Sequence, residues 1–195
     1  MKEKLIYFLL ITVSVLMSSC REENLDLEGK SLFTNDWEFQ YEGEWYPAFV
    51  PGYIHTDLQL NKLIDDPFYG TNEQKLQWIS DSTWVYRLIF DGKNIKDNLH
   101  PEFVFEGVTG YAEFYLNGVP LLNQEGNNFT DNSFRIWRFD LTKNLKLTDN
   151  ELIVKFIPSK KIIEDRKGAL PYALPDDRVF LRNPPYQGGW DWGPK

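Results

Sequence analysis

Large apolar and polar residues alternate in Trp37-Glu38-Phe39-Gln40-Tyr41, the period-two spacing of a strand with one buried face. Gly43 ends this stretch, and Tyr46 to Val50 reads as a second short strand stopped by Pro51-Gly52. The period then lengthens. Ile54, Leu58 and Leu63 fall near one face of a short helix, with Asp57 in its first turn, where a carboxylate suits the helix dipole. Trp84, Tyr86, Leu88 and Phe90 return to alternation and leave Arg87 on the opposite, outward side. Strands are expected again at Phe103–Val108 and Tyr111–Leu116, the latter closed by Asn117-Gly118, two residues that tolerate the positive φ of a tight hairpin. Phe134 to Asp140 alternates only in part, but its aromatic content favours a strand, and Glu151 to Ile157 is a further one. Residues 158 to 178 show no clear period and read as a long loop before Val179-Phe180-Leu181-Arg182. At least six short strands separated by Gly, Pro, Asn and Asp turns predict an all-β, jelly-roll-like β-sandwich with a short helix.

The amino terminus follows a different pattern. Lys2 and Lys4 precede the largely apolar run Leu5 to Met17, which is too short to span a bilayer as an ordinary helix, and Ser18-Ser19-Cys20 ends it. A small-small-Cys ending resembles the bacterial lipobox, with Met17 in place of the usual Leu. The expectation is a lipoprotein-type signal peptide over residues 1–20, lipid attachment at Cys20, and export to the periplasm or cell envelope with anchoring to a bacterial membrane. An ordinary cleaved signal with an incidental cysteine is the alternative. Residues 21–32 are polar and read as a tether, which places the domain at 33–195.

Cys20 is the only cysteine, so the folded domain has no internal disulfide and must be held by its core. Aromatic residues make up 16% of the chain and seven are tryptophan, which suits a sandwich core or a carbohydrate-binding surface. The formal charge of −8 argues against nucleic acid as a partner, because phosphate binding needs clustered Lys and Arg. Only His55 and His100 could serve as imidazole ligands, and no clustered pattern surrounds them, so no metal site is expected. Neither a Gly-x-Ser-x-Gly elbow nor a phosphate-cradling glycine loop occurs, so a nucleophilic triad and a nucleotide cofactor are not expected either. Asp65-Asp66 places two carboxylates side by side, but neighbours point apart, and Asp-Asp-Pro reads as a solvated turn.

The carboxyl-terminal run Gln187-Gly188-Gly189-Trp190-Asp191-Trp192-Gly193-Pro194 carries the most specific chemistry. An indole face lies flat on the C–H side of a pyranose, and a carboxylate accepts charge-assisted hydrogen bonds from neighbouring hydroxyls. Trp190, Asp191 and Trp192 are therefore candidate sugar-binding residues. The competing reading is a strand end whose tryptophans pack into a core while Asp191 begins a turn.

Three stretches together resemble the amino-terminal sugar-binding domain of family 2 glycoside hydrolases, and specifically of β-mannosidases. They are Val50-Pro51-Gly52-Tyr53-Ile54-His55-Thr56-Asp57-Leu58 continuing through Ile64 to Gly70; Trp84-Val85-Tyr86 with Phe105-Glu106-Gly107-Val108 and Ala112 to Gly118; and Arg182 with Gly189 to Pro194. The resemblance covers nearly all of residues 33 to 195. It implies a galactose-binding-domain-like sandwich beside a catalytic (β/α) barrel, and a pocket for terminal non-reducing β-D-mannose to which Trp190, Asp191 and Trp192 contribute. It also implies a mannose-containing oligosaccharide as partner, together with the chain's own carboxyl-terminal barrel. The family's two catalytic glutamates belong to the barrel, so no Asp or Glu of this chain inherits that role, and the chain alone is expected to be inactive. Arg182 matches a basic position upstream of the motif, with Asn183 where the family has Lys, and gains no substrate role from that. The strand expected to close the sandwich would lie beyond Lys195, leaving an open sheet edge and poor solubility as the expectation. A stand-alone surface glycan-binding lipoprotein, a non-functional gene fragment and a purely structural use of every tryptophan are the alternatives.

Overall fold

The computed structural model describes residues 36–96, 100–174 and 177–184. Among them run nine strands: β1 (Trp37–Tyr41), β2 (Glu44–Ala48), β3 (Trp84–Phe90), β4 (Glu102–Phe105), β5 (Tyr111–Leu116), β6 (Val119–Pro120), β7 (Phe129–Thr130), β8 (Trp137–Asp140) and β9 (Asn150–Ile157). Seven form one sheet in the order β2-β1-β3-β9-β5-β6, with β7 also paired to β5, and β4 with β8 forms a second sheet. All these pairings are antiparallel. The fold is the expected all-β sandwich.

Register explains why the alternation is so regular in the middle of the large sheet. Phe39, Tyr86, Val154 and Phe114 lie in one row across β1, β3, β9 and β5, and Trp37, Leu88, Leu152 and Leu116 form the adjacent row. All eight are buried. The second sheet packs on this face through phenylalanines: ring centroids are 4.3 Å apart for Phe114–Phe139, 5.0 Å for Phe105–Phe114 and 5.3 Å for Phe90–Phe103. Each such pair contributes about 0.5–1.5 kcal/mol beyond the area it buries. Arg87 points outward as expected, where it pairs with Glu38 at 2.7 Å and covers the Trp45 ring at 4.0 Å.

Helical segments are more numerous than the sequence pattern predicts: α1 (Ile54–Leu60), α2 (Asn72–Lys75), α3 (Trp78–Asp81), α4 (Lys93–Lys96), α5 (Ser159–Gly168) and a 3-10 turn at Asp177–Phe180. The expected loop over 158–178 is corrected by α5. That helix buries none of its residues, so it has no apolar stripe from which a period could be read. Four-residue helices are too short to display any period. Strand ends also move. β2 runs over Glu44–Ala48, β4 stops at Phe105, and the expected strand from Phe134 begins only at Trp137. Phe134 and Ile136 are 65% and 51% exposed, so their hydrophobicity marks surface and not a sheet face. Asp66 accepts the Phe68 N–H in an exposed turn, as its sequence predicts.

The Asn117-Gly118 hairpin forms with φ of 54° and 80°, joining Leu116 to Val119. The Asn117 side chain then works inward. Its Nδ2 donates to the Asn144 carbonyl at 2.7 Å and to Asn150 Oδ1 at 3.1 Å, and its Oδ1 accepts the Glu151 N–H. Asn150 is fully buried, donates to the Lys146 carbonyl at 2.9 Å and accepts the Lys146 N–H at 2.7 Å. Gly92 closes this polar knot by donating its N–H to Leu147 at 3.0 Å. A Cβ on Gly92 would lie 2.1 Å from the Lys146 carbonyl oxygen and 3.0 Å from Asn150 Nδ2. Gly92→Ala is therefore expected to lower stability by about 1–3 kcal/mol, the usual cost of forced overpacking. A urea midpoint equal to that of the wild type would show that the knot yields without cost.

Candidate functional site

Trp190, Asp191 and Trp192 lie outside the described residues, as do Cys20, the expected signal peptide and the tether. The chain leading to the tryptophan motif is described as far as Pro184, and it is held from three sides. Leu181 is buried. Arg182 joins Asn132 in a parallel bridge, with Ser133 donating to its carbonyl at 2.9 Å and its own N–H donating to Asp131 at 3.3 Å. Asn183 Oδ1 accepts the Gly110 N–H at 3.0 Å and the Ser133 hydroxyl at 3.3 Å. Arg166 on α5 donates to Asp131 Oδ2 at 2.7 Å and to the Phe180 carbonyl, with its guanidinium 6.0 Å from the Tyr111 ring centroid. The Arg182 side chain is exposed, and only its backbone takes part in these bonds.

Beside this approach lies a cleft of about 580 Å3. Its floor is the apolar face of the large sheet, from Trp37, Trp84, Tyr86 and Phe156, between β4 and the helical cover. Phe49 and Tyr53, 49% and 61% exposed, stand at its edge. Ser80, Ser82, Thr109 and Asn183 add hydroxyl and amide groups. Among the described residues that line it, none is Asp, Glu, Lys or Arg. His55 also lines the cleft, and loss of surrounding water holds its pKa below the ordinary 6.5, so the imidazole is neutral at pH 7.

The loop that supplies Phe49 and Tyr53 is fixed from beneath by Asp57. This carboxylate is 1% exposed, accepts the Phe49 N–H at 3.0 Å and accepts the Tyr86 hydroxyl at 2.8 Å. Its position in the first turn of α1 matches the sequence reading, but the partners are 8 and 29 residues away and could not be read from it. The available signal was a carboxylate one residue before the fully buried Leu58. Tyr86 keeps its proton, because burial and then the adjacent Asp57 push its pKa well above the ordinary value. Among the described residues no group of three or more His, Cys, Asp or Glu could hold a metal ion.

The chain belongs to the glycosyl hydrolase 2 galactose-binding domain-like family, whose model matches residues 37–195. Within that family it is a β-mannosidase-like amino-terminal domain. It is 31% identical over 170 residues to β-mannosidase B of Thermothelomyces thermophilus, covering 82% of this chain and 19% of that protein. The crystal structure of a β-D-mannosidase from Dictyoglomus thermophilum superposes with a TM-score of 0.70 at 39% identity, over 81% of this chain and 20% of that one. An exo-chitosanase from Amycolatopsis orientalis shares the fold at a TM-score of 0.52 and 20% identity, over 65% of this chain and 16% of that one. The chain thus spans about a fifth of the length of the relatives it matches.

Burial raises the pKa of Asp57 above its ordinary 3.8, and the hydrogen bonds from Phe49 and Tyr86 offset only part of that rise. The folded protein therefore holds this proton more tightly than the unfolded chain does. Stability from Asp57 is greatest below 3.8, falls as pH rises through the folded value, and is flat above it. Relative to Asp57→Asn, which does not titrate here, the wild-type urea midpoint is expected to fall as pH is raised from acid to neutrality. A midpoint difference that grows with pH would mean that the two hydrogen bonds outweigh burial.

Proposed function

We propose that this chain is the amino-terminal, mannose-recognising part of a β-mannosidase that removes terminal non-reducing β-D-mannose from oligosaccharides. The observation that carries this reading is the 39% identity with the Dictyoglomus thermophilum β-D-mannosidase over 81% of the chain. Trp190 and Trp192 would shape the wall of the glycone pocket and Asp191 would accept hydrogen bonds from mannose hydroxyls. The anchorage of Leu181, Arg182 and Asn183 supports this assignment, because it fixes the chain seven residues before Trp190. Hydrolysis with retention needs two carboxyl groups about 5 Å apart flanking the glycosidic bond. In this reading they belong to a catalytic barrel that packs with the sandwich, so the 195-residue chain binds and shapes but does not cleave. No cofactor is required.

The basic-apolar-cysteine order of residues 1–20 supports export and a lipid anchor at Cys20, which would hold the protein at a bacterial membrane in the periplasm or cell envelope. Cys20→Ser is expected to move the protein made in its host from the membrane fraction to the soluble fraction. An unchanged distribution would remove the anchor from the reading.

The purified 195-residue chain is expected to release no nitrophenol from a nitrophenyl β-mannoside, whereas the product made in the native host is expected to be several times larger and active. Asp191→Ala in that product should lower kcat/KM roughly 10²-fold, as expected for losing a hydrogen bond or two to a charged group at about 1.5–3 kcal/mol each. Hydrolysis by the 195-residue chain, or full activity in the Asp191→Ala product, would sink the corresponding half of the proposal.

A further inference from the structure

We propose that the cleft between Phe49–His55 and Gly107–Tyr111 is itself a binding site for a neutral saccharide, one that the Trp190 motif is not needed to form. Its volume of about 580 Å3 falls within the range of about 300–1,000 Å3 of small-molecule sites. The absence of charge from its described lining selects the ligand class. The chain is 26% charged, yet no Asp, Glu, Lys or Arg is among the described residues that line the cleft, so a phosphate, a cation or an acidic peptide would lose its hydration with no countercharge from them in return. A purely apolar ligand fits the floor but leaves the polar rim unused. Thr109 brings a hydroxyl and Asn183 an amide, Ser80 and Ser82 keep acceptor capacity while donating to the Gln77 and Trp78 carbonyls at 2.8 Å, and His55 as a neutral imidazole offers one donor and one acceptor.

That combination matches a pyranose, which presents a C–H face to an aromatic surface and hydroxyls around its edge. Tyr53, 61% exposed at the mouth, offers the ring against which such a face can lie. The Asn183 Oδ1 is occupied by Gly110 and Ser133, which fixes the amide plane and orients its Nδ2. Hydrogen bonds here are all between neutral groups and hence individually weaker than charge-assisted ones, so the affinity is expected to be millimolar and insensitive to salt. The reading above enters only through the choice of a mannoside as probe.

The test is an amide chemical-shift titration of the whole 195-residue chain with β-1,4-linked mannobiose up to about 100 mM, a concentration that saturates a millimolar site. Saturable shifts at Tyr53–His55 and Gly107–Tyr111 are expected, weakened at least about fivefold by Tyr53→Ala and unchanged by Asp191→Ala. Thr109→Val, a smaller change in volume, should weaken binding while leaving the thermal transition in place, which separates lost recognition from lost folding. Absence of saturable shifts at these amides, shifts that survive Tyr53→Ala undiminished, or preference for cyclohexanol over the saccharide would each overturn the site. Binding abolished by Asp191→Ala but untouched by Tyr53→Ala would overturn it too, while supporting the role given to Asp191. Cleft binding that is intact in Asp191→Ala, combined with full activity of that variant in the longer product, would uphold the cleft and sink the motif's role.

Discussion

Among the described residues, seven strands on one side and two on the other set the constraint from which this architecture follows. The large sheet presents an apolar face across β1, β3, β9 and β5, and a two-stranded ribbon can cover only part of it. The ribbon takes the end near Phe90 and Phe114, where the phenylalanine contacts are closest. Elsewhere the cover is helical. Leu58 of α1 and Ile79 of α3 are buried against the core, and Trp84 turns its indole N–H to the Ile79 carbonyl at 2.8 Å. The cleft is what remains between these two kinds of cover, so its apolar floor is a consequence of layer geometry and its polar rim belongs to the connecting loops.

The same constraint gives the buried polar groups their distribution. An apolar face bounded by loops needs those loops held at fixed height, and a loop held against a core must have its backbone groups satisfied. Asp57 does this at one end of the sheet through Phe49 and Tyr86, and Asn150 with Asn117 does it at the other through Lys146, Asn144 and Glu151. The two solutions differ electrostatically. The asparagines are neutral and fully paired, so burial costs them little. Asp57 keeps an ionisable group beneath the cleft, where its cost rises when it is charged.

What could be read from sequence divides along the same line. β3 and β9 were legible because both lie in the interior of the sheet, where burial alternates along Trp84 to Phe90 and over Asn150 to Val154. α5 was not legible, because a helix with no fully buried residue leaves no clear period in the hydrophobic pattern. Phe134 and Ile136 misled for the converse reason, being large apolar residues on the surface. The Trp190 motif lies outside the described residues and stays a reading of sequence chemistry, two indoles flanking a carboxylate. The cleft was not legible, because its lining is drawn from Trp37 to Asn183 and only the folded sheet brings those residues together.

Sharing a fold with an exo-chitosanase at 20% identity fixes the sandwich but not the sugar. On the proposed reading, discrimination between sugars has to come largely from side chains at the loop ends, because the buried rows that make the sheet carry only the Trp37 indole N–H and the Tyr86 hydroxyl, the latter committed to Asp57. Shape and neutral hydrogen bonds hold a pyranose without distorting it, and binding of that kind lowers the energy of substrate and transition state alike. Under the proposed reading, rate enhancement requires groups that engage the developing oxocarbenium charge, and no carboxylate is among the described residues of the lining. On the proposed reading the sandwich chooses and seats the sugar, and the bond cleavage falls to carboxylates carried elsewhere.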